Sequence, residues 1–234
     1  MSVKALCGRM AVFGIILGIS GLSFADGGGT ISGKVRFKGT PRAPEKKAVT
    51  KDTAKCGSET VSEDLVVGPD NGVRWAVLSL NGAKAAGRKP AAGGVLDQNG
   101  CRFLPHVSVV PKGEEFSVLN SDGILHNVHT YSQKNAAVNK AQPAFKKEMK
   151  LSFGEPEIIT LTCDVHSWMK GYLVVTDSPY VAVTDEAGSY RIPDVPPGTY
   201  KLDLWHESLG RQTKDVTVKA GEETQVSLEL AASQ

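Results

Sequence analysis

Ten short runs rich in β-branched residues, each closed by a turn signal, confine this chain to sheets. They read "TISGKVRF", "VRWAVLSL", "HVSVV", "EFSVLN", "HNVHTY", "EIITLTC", "YLVV", "TYKLDLW", "DVTVKA" and "TQVSLEL". Between them stand "KGT", "PDNG", "DQNG", "PKG", "SDG" and "PPG", where Gly, Asn and Asp accept turn backbone and Pro removes a ladder donor. No stretch carries a sustained helical period; "QKNAAVNKAQPAFKKEMK" has room for one turn of helix. Strands this short at this spacing predict an all-β fold of sandwiches, with two sheets packed face to face. The 234 residues suffice for one large β domain or two small ones.

The start of the chain reads differently. Lys4 and Arg9 precede an apolar run from Ala11 to Leu22, and Ser23-Phe24-Ala25 fits a small-x-small cleavage site. The run is shorter than a membrane span needs, so residues 1–25 are expected to be a signal peptide cleaved after Ala25, giving a periplasmic protein. An uncleaved N-terminal anchor is the alternative. Cys7 lies ahead of the apolar run, the wrong side for a lipid-modified cysteine. Cleavage leaves 25 cations against 25 acids, and no basic block or basic-aromatic platform suggests a nucleic-acid partner. Export places Cys56, Cys101 and Cys163 in oxidising surroundings, where an odd count leaves one thiol over. If Cys163 holds a metal, Cys56 and Cys101 are free to form a disulfide.

"CDVHSWMKG" makes that condition concrete, with Cys163, His166 and Met169 spaced three apart. A blue copper site needs one thiolate, two imidazoles and a weak axial thioether. One short loop between the strands "EIITLTC" and "GYLVV" offers three of the four. The second imidazole has to come from another strand, and "LHNVHTY" offers His126 and His129. Side chains alternate along a strand, so residues three apart face opposite sides and both cannot easily bind one ion. His126 adjoins the turn "NSDGIL", at the end where a loop ligand can reach it; His129 then reads as a packed or surface histidine. His106 in "CRFLPHVSVV" reads as an ordinary strand histidine, with a weaker second metal site as the alternative. His206 in "LWHES" reads as a surface residue. Lys146, Lys147 and Lys150 read as a solvated basic face where an acidic redox partner could dock.

The ordered pattern "FLPHVSVVPKGEEFSVLNSDGILHNVHT" followed by "CDVHSWMKGYLVV" resembles the cupredoxins, blue type-1 copper proteins of the amicyanin and plastocyanin kind. The resemblance covers roughly residues 95–177 and implies a Greek-key β-sandwich holding one copper. It makes His126, Cys163 and His166 the equatorial ligands and Met169 the axial one. It also makes Asn127 the residue whose backbone N–H reaches the ligand sulfur and whose side chain braces the loop. Two residues depart from the pattern. Asp164-Val165 replaces the usual Ser or Thr and Pro after the cysteine, so Asp164 would bring a charge near copper. Leu125 replaces the common proline before the first histidine.

"DEAGSYRIPDVPPGTYKL" resembles the carboxypeptidase regulatory-like domain, a small sandwich of the immunoglobulin/transthyretin kind, and assigns residues 178–234 to it. Such domains begin with strands like "GTISGKVRFKG" and "RWAVLSLNGA", which here lie far upstream in residues 26–94. Two arrangements are open: a sandwich split by an inserted copper domain, or two consecutive domains with an N-terminal β extension. With four ligands filling the copper, no open position serves a substrate, so the expectation is electron transfer and no enzyme activity. Family analogy implies a c-type cytochrome or periplasmic dehydrogenase as transient partner. Electrons would leave by the His166 edge, inside an apolar patch of Leu125 and Trp168. The alternatives are a copper carrier, a partner- or glycan-binding module, or an oxidase with Met169 unbound.

Overall fold

The computed structural model describes residues 27–85 and 94–232; the expected signal peptide lies outside the described residues. No described helix is long and apolar enough to cross a membrane. In chain order the strands begin with β1 (Gly29–Lys38), the hairpin of β2 (Lys46–Ala48) and β3 (Glu59–Val61), and β4 (Val77–Asn81). One turn of helix, α1 (Thr53–Cys56), forms the tip of that hairpin. The middle of the chain supplies β5 (Leu96–Gln98), β6 (Phe103–Leu104), β7 (Val107–Pro111), β8 (Phe116–Asn120) and β9 (His126–Tyr131). It continues with β10 (Asn139–Gln142), β11 (Glu148–Leu151), β12 (Glu157–Thr162) and β13 (Lys170–Thr176). The tail adds β14 (Val181–Val183), β15 (Ser189–Val195), β16 (Gly198–His206), β17 (Gly210–Val218), β18 (Glu223–Gln225) and β19 (Leu228–Ala231). The fold is all-β, arranged as sandwiches.

The middle strands form two sheets, β10-β9-β12-β13-β7 and β11-β8-β5-β6. Their facing sides share one apolar core that includes Phe103, Phe116, Val118, Val128, Ile159, Leu161 and Leu173. The other two sheets draw on both ends of the chain. β1 lies between β15 on one side and β18 and β19 on the other, and β4 lies between β14 and β16. Ile31 and Val35 from β1 and Leu78 and Leu80 from β4 join Ile192, Leu202 and Leu204 in a second core. The second sandwich therefore interleaves the N-terminal strands with the tail, and the first sandwich sits between them in sequence.

Period-two alternation also joins the sandwiches. Leu78 and Leu80 face their own core, while Val77 turns to meet Val107, Tyr172 and Val174 of the neighbouring sandwich. β13 is buried on both faces, with Leu173 and Val175 inward and Tyr172 and Val174 at the seam. That explains its unbroken apolar run "GYLVV", the mark of a strand covered on both sides.

Beside this seam lies a polar network. His106 Nε2 meets Glu207 Oε1 with both side chains buried, and Glu207 Oε2 accepts from Lys170 Nζ at 2.8 Å. Lys170 and Lys47 both reach Asp64, at 3.5 and 3.3 Å. His106 is thus tied to a carboxylate. His206 is 1% exposed, which corrects its reading as a surface residue. It shares the inward parity of Leu202 and Leu204, and burial pushes its imidazole below the ordinary value.

A fragment beginning at residue 178 lacks β1 and β4, an interior strand from each sheet of the second sandwich. It should show no cooperative unfolding when expressed alone; a sharp denaturation transition would refute the interleaved architecture. A second expectation concerns Asp64. Burial raises its pKa, but the Ser62 hydrogen bond and the charges of Lys170 and Lys47 outweigh that and hold it at about 2. A carboxylate depressed in the folded state stabilises above its unfolded pKa of about 3.9, and that stability is lost as pH falls toward the folded value. The stability difference between wild type and Asp64→Asn should therefore shrink between about pH 4 and pH 2 in pH-resolved urea titrations.

Candidate metal centre

The candidate ligands meet at one end of the first sandwich. β12 and β13 pair through Thr162↔Lys170, leaving residues 163–169 as the connecting loop. The loop closes on itself: Met169 N–H donates to His166 O at 2.9 Å, and Cys163 N–H to Met169 O at 3.4 Å. β9 is the neighbour of β12, and its first residue, His126, follows the Ser121–Leu125 turn. Alternation along β9 buries His126 completely and leaves His129 partly exposed. Cys163, free and buried, and Met169, 1% exposed, belong to the same apolar core.

Three donor atoms converge there. His126 Nδ1 and His166 Nδ1 lie 3.0 Å apart, and Cys163 Sγ lies 3.9 and 3.8 Å from them. A first-row ion bonded at about 2.0–2.1 Å to nitrogen and about 2.3 Å to sulfur separates such donors by about 3.3–3.9 Å; the two sulfur distances fall in that range, and the nitrogen pair is a few tenths of an ångström closer. The outer ring nitrogens decide what the inner ones offer. His126 Nε2 bonds Asp122 Oδ2 at 2.9 Å, and His166 Nε2 bonds Asp52 Oδ2 at 2.8 Å. An ionised carboxylate only accepts, so with these partners each Nε2 is the donor, and a neutral ring then presents its Nδ1 lone pair inward. The two Nδ1 atoms stand 3.0 Å apart in a buried pocket, where they either share one proton or bind a common cation. Burial pushes the His126 imidazole below its ordinary value, against the pull of Asp122, which favours the neutral ligand form. The residues fit a metal.

Asn127 braces the loop. Its Oδ1 accepts from Asp164 N–H at 2.7 Å, and its Nδ2 donates to Asn139 Oδ1 and Asp164 Oδ2 at 2.8 and 3.0 Å. Asp164 itself points outward. Hydrogen bonds from His129, Asn139 and Asn127 hold its carboxyl below the ordinary range, so its charge is already matched on the surface.

Cys56 and Cys101 form a disulfide with Cα atoms 5.4 Å apart. It staples α1 against the site, with consequences that the sequence reading missed. His166 is completely buried, which corrects the expectation of an exposed ligand edge: Asp52, at the start of α1, covers it. Leu125 is 47% exposed. Trp168 is only half-buried, its ring 5.1 Å from that of His166 and its indole N–H donating to Cys101 O at 3.2 Å. Asp122 was missed as well. It is buried and receives Gly100 N–H and Cys101 N–H at 2.7 and 2.8 Å. The "NSDGIL" turn held a clue, since Asp122 stands four residues before His126. Nothing comparable marked Asp52, which is 114 positions from its partner.

A protein-family model described as "Polysaccharide lyase family 4, domain II" matches residues 154–226, a stretch that starts in the first sandwich and runs through the second. No curated protein matches the chain. Among solved structures, a copper(I) form of an amicyanin variant is 21% identical with a TM-score of 0.33, covering 42% of this chain and 98% of that one. A purple cupredoxin from Nitrosopumilus maritimus is 19% identical with a TM-score of 0.28, covering 32% and 81%. A copper-containing nitrite reductase from Thermus scotoductus SA-01 is 19% identical with a TM-score of 0.33. The overlap is 40% of this chain and only 26% of the reductase. At these scores the likenesses carry no functional weight; the converging donor atoms do.

Asn127→Ala leaves Asp164 N–H without its acceptor and frees the loop from β9. Orphaning a buried or half-buried donor costs about 1–3 kcal/mol, so the variant should lose that much stability by denaturant titration. Stability within about 0.5 kcal/mol of wild type would show that the brace is not needed.

Proposed function

We propose that the chain is a type-1 copper protein that carries single electrons in the periplasm and catalyses no reaction of its own. The observation that carries this reading is the buried triangle of His126 Nδ1, His166 Nδ1 and Cys163 Sγ, both outer nitrogens being committed to carboxylates. One thiolate and two imidazoles, with the buried thioether of Met169 in the same core, suit copper better than the cations that prefer oxygen. Copper, when bound, supplies a one-electron couple between its two common oxidation states. The protein's part is to keep its donors still. The loop closed at Cys163 and Met169, the Asn127 brace and the two carboxylates resist movement when the charge changes, and burial excludes water.

Electrons would pass to and from a redox partner such as a c-type cytochrome or dehydrogenase. With the His166 edge covered, Leu125 beside His126 offers an apolar group that faces outward. A bracing role for the tail is supported by its polar seam with the first sandwich, where Glu207 accepts from Lys170 at the start of β13 at 2.8 Å.

A copper(II)–thiolate bond gives an intense visible charge-transfer band, whereas zinc, the other ion such donors accept, gives none. The copper-loaded protein should be blue, bleach with ascorbate and lose its colour in Cys163→Ser. A colourless copper-loaded wild type sinks the assignment. Met169 tests the axial position. An amide oxygen in Met169→Gln favours the oxidised ion and lowers the potential, and the donorless Met169→Leu raises it. Each tenfold change in relative affinity is worth about 59 mV for one electron, and shifts of one or two such steps are expected with blue colour kept. Unchanged potentials in both variants would remove Met169 from the ligand set and favour the open-site oxidase.

A further inference from the structure

The β2–β3 hairpin has no part in either core sheet, yet its tip closes the metal centre. Asp52 stands at the start of α1 with φ 50° and ψ 38°, a left-handed backbone that Asp tolerates better than most residues. Its carbonyl accepts from Lys55 N–H and Cys56 N–H, both at 2.9 Å, so the turn folds on itself. Its carboxylate bonds His166 Nε2, 114 positions further along the chain, at 2.8 Å. Two further ties hold the turn there. Cys56 is bonded to Cys101, whose carbonyl also accepts from Trp168 of the ligand loop, and Lys55 Nζ lies 3.7 Å from the buried Asp122. The His166 ring is left with no exposure, whereas the Asp52 side chain keeps 39% of its own.

We propose that Asp52 is a positioning residue for the metal centre, fixing the His166 ring through Nε2, and that the stapled hairpin tip is a cover that shuts the outer edge of that ring. The inference rests on the copper reading for its electrostatic part and stands without it for its steric part. A carboxylate that accepts a ligand histidine's outer N–H fixes the ring and makes the inner nitrogen a stronger donor. Its negative charge also favours the more positive, oxidised ion. Asp122 does the same for His126, but from a fully buried turn. Asp52 is the member of the pair that meets solvent, so it is the one that governs access.

The charge and the cover are separated by two variants of the full chain. Asp52→Asn keeps an acceptor oxygen and a residue at home in left-handed backbone; it removes only the charge. Asp52→Gly keeps the backbone conformation and removes the contact altogether. Copper-loaded Asp52→Asn should stay blue, with relative affinity for the reduced ion up about tenfold, a rise of about 59 mV. Access is read by modification with diethyl pyrocarbonate followed by peptide mapping, in metal-free and copper-loaded protein, with the partly exposed His129 as internal reference. His166 should be modified at least tenfold more slowly than His129 in wild type and Asp52→Asn. It should approach His129 in Asp52→Gly and in the double variant Cys56→Ser/Cys101→Ser. Equal modification of His166 and His129 in wild type, or protection that survives in Asp52→Gly, overturns the cover. An unchanged potential in a blue Asp52→Asn overturns the electrostatic role. If wild type is not blue, the copper reading fails while the modification pattern still decides the cover.

Discussion

Two imidazole nitrogens facing each other at 3.0 Å beside a thiol set the terms for the whole site. Buried polar atoms need partners, and these two have each other and the Cys163 sulfur. The arrangement persists because each ring is held from behind by a carboxylate that takes its only N–H. Those carboxylates are in turn held: Asp122 by two backbone N–H groups, and Asp52 by a turn that a disulfide secures. The surrounding contacts thus fix both rings and keep the two nitrogens and the sulfur together as one compact set of donors.

The two sandwiches serve this end through β13. The strand starts at the candidate metal loop, crosses the first core with one face and meets the second sandwich with the other. Its first residue, Lys170, pairs with Glu207 and Asp64, which come from the tail and from the segment after the hairpin. The end of the ligand loop is thereby fixed from outside the sandwich that contains it. A free-standing loop of seven residues would have more conformational freedom to lose.

Legibility in the sequence followed the range of the interaction. Cys163, His166 and Met169 were readable because one loop carries them at fixed spacing. Alternation ruled out His126 and His129 together, the adjoining turn picked His126, and the odd cysteine count pointed to the Cys56–Cys101 pair. Strand chemistry made the all-β class plain. The interleaving of β1 and β4 with the tail stayed open, because two strands carry no mark of which distant strands they will join. His206 was misread because its polarity was weighed above its parity, which it shares with Leu202 and Leu204. The closed His166 edge was missed because the hairpin that covers it leaves no mark on the ligand loop. A family resemblance carries the ligand loop, but it says nothing about a hairpin brought from elsewhere in the chain.

That hairpin shows why a local and a remote partner need different anchors. Asp122 sits four residues before His126, and the turn that holds the histidine carries the aspartate with it. Asp52 has no such help. α1 is one turn long and has no buried residue, and a single helical turn does not hold its shape without external contacts. The Cys56–Cys101 bond spans 45 positions and removes about 4 kcal/mol of chain freedom from the unfolded state in the entropic account, which is enough to secure a turn with no core of its own. It places Asp52 toward His166 and Lys55 within 3.7 Å of Asp122 in one step, but only Asp52 depends on it for its position. The disulfide thus acts less on the two cores, which have ample apolar contact without it, than on the geometry directly behind the candidate ligands.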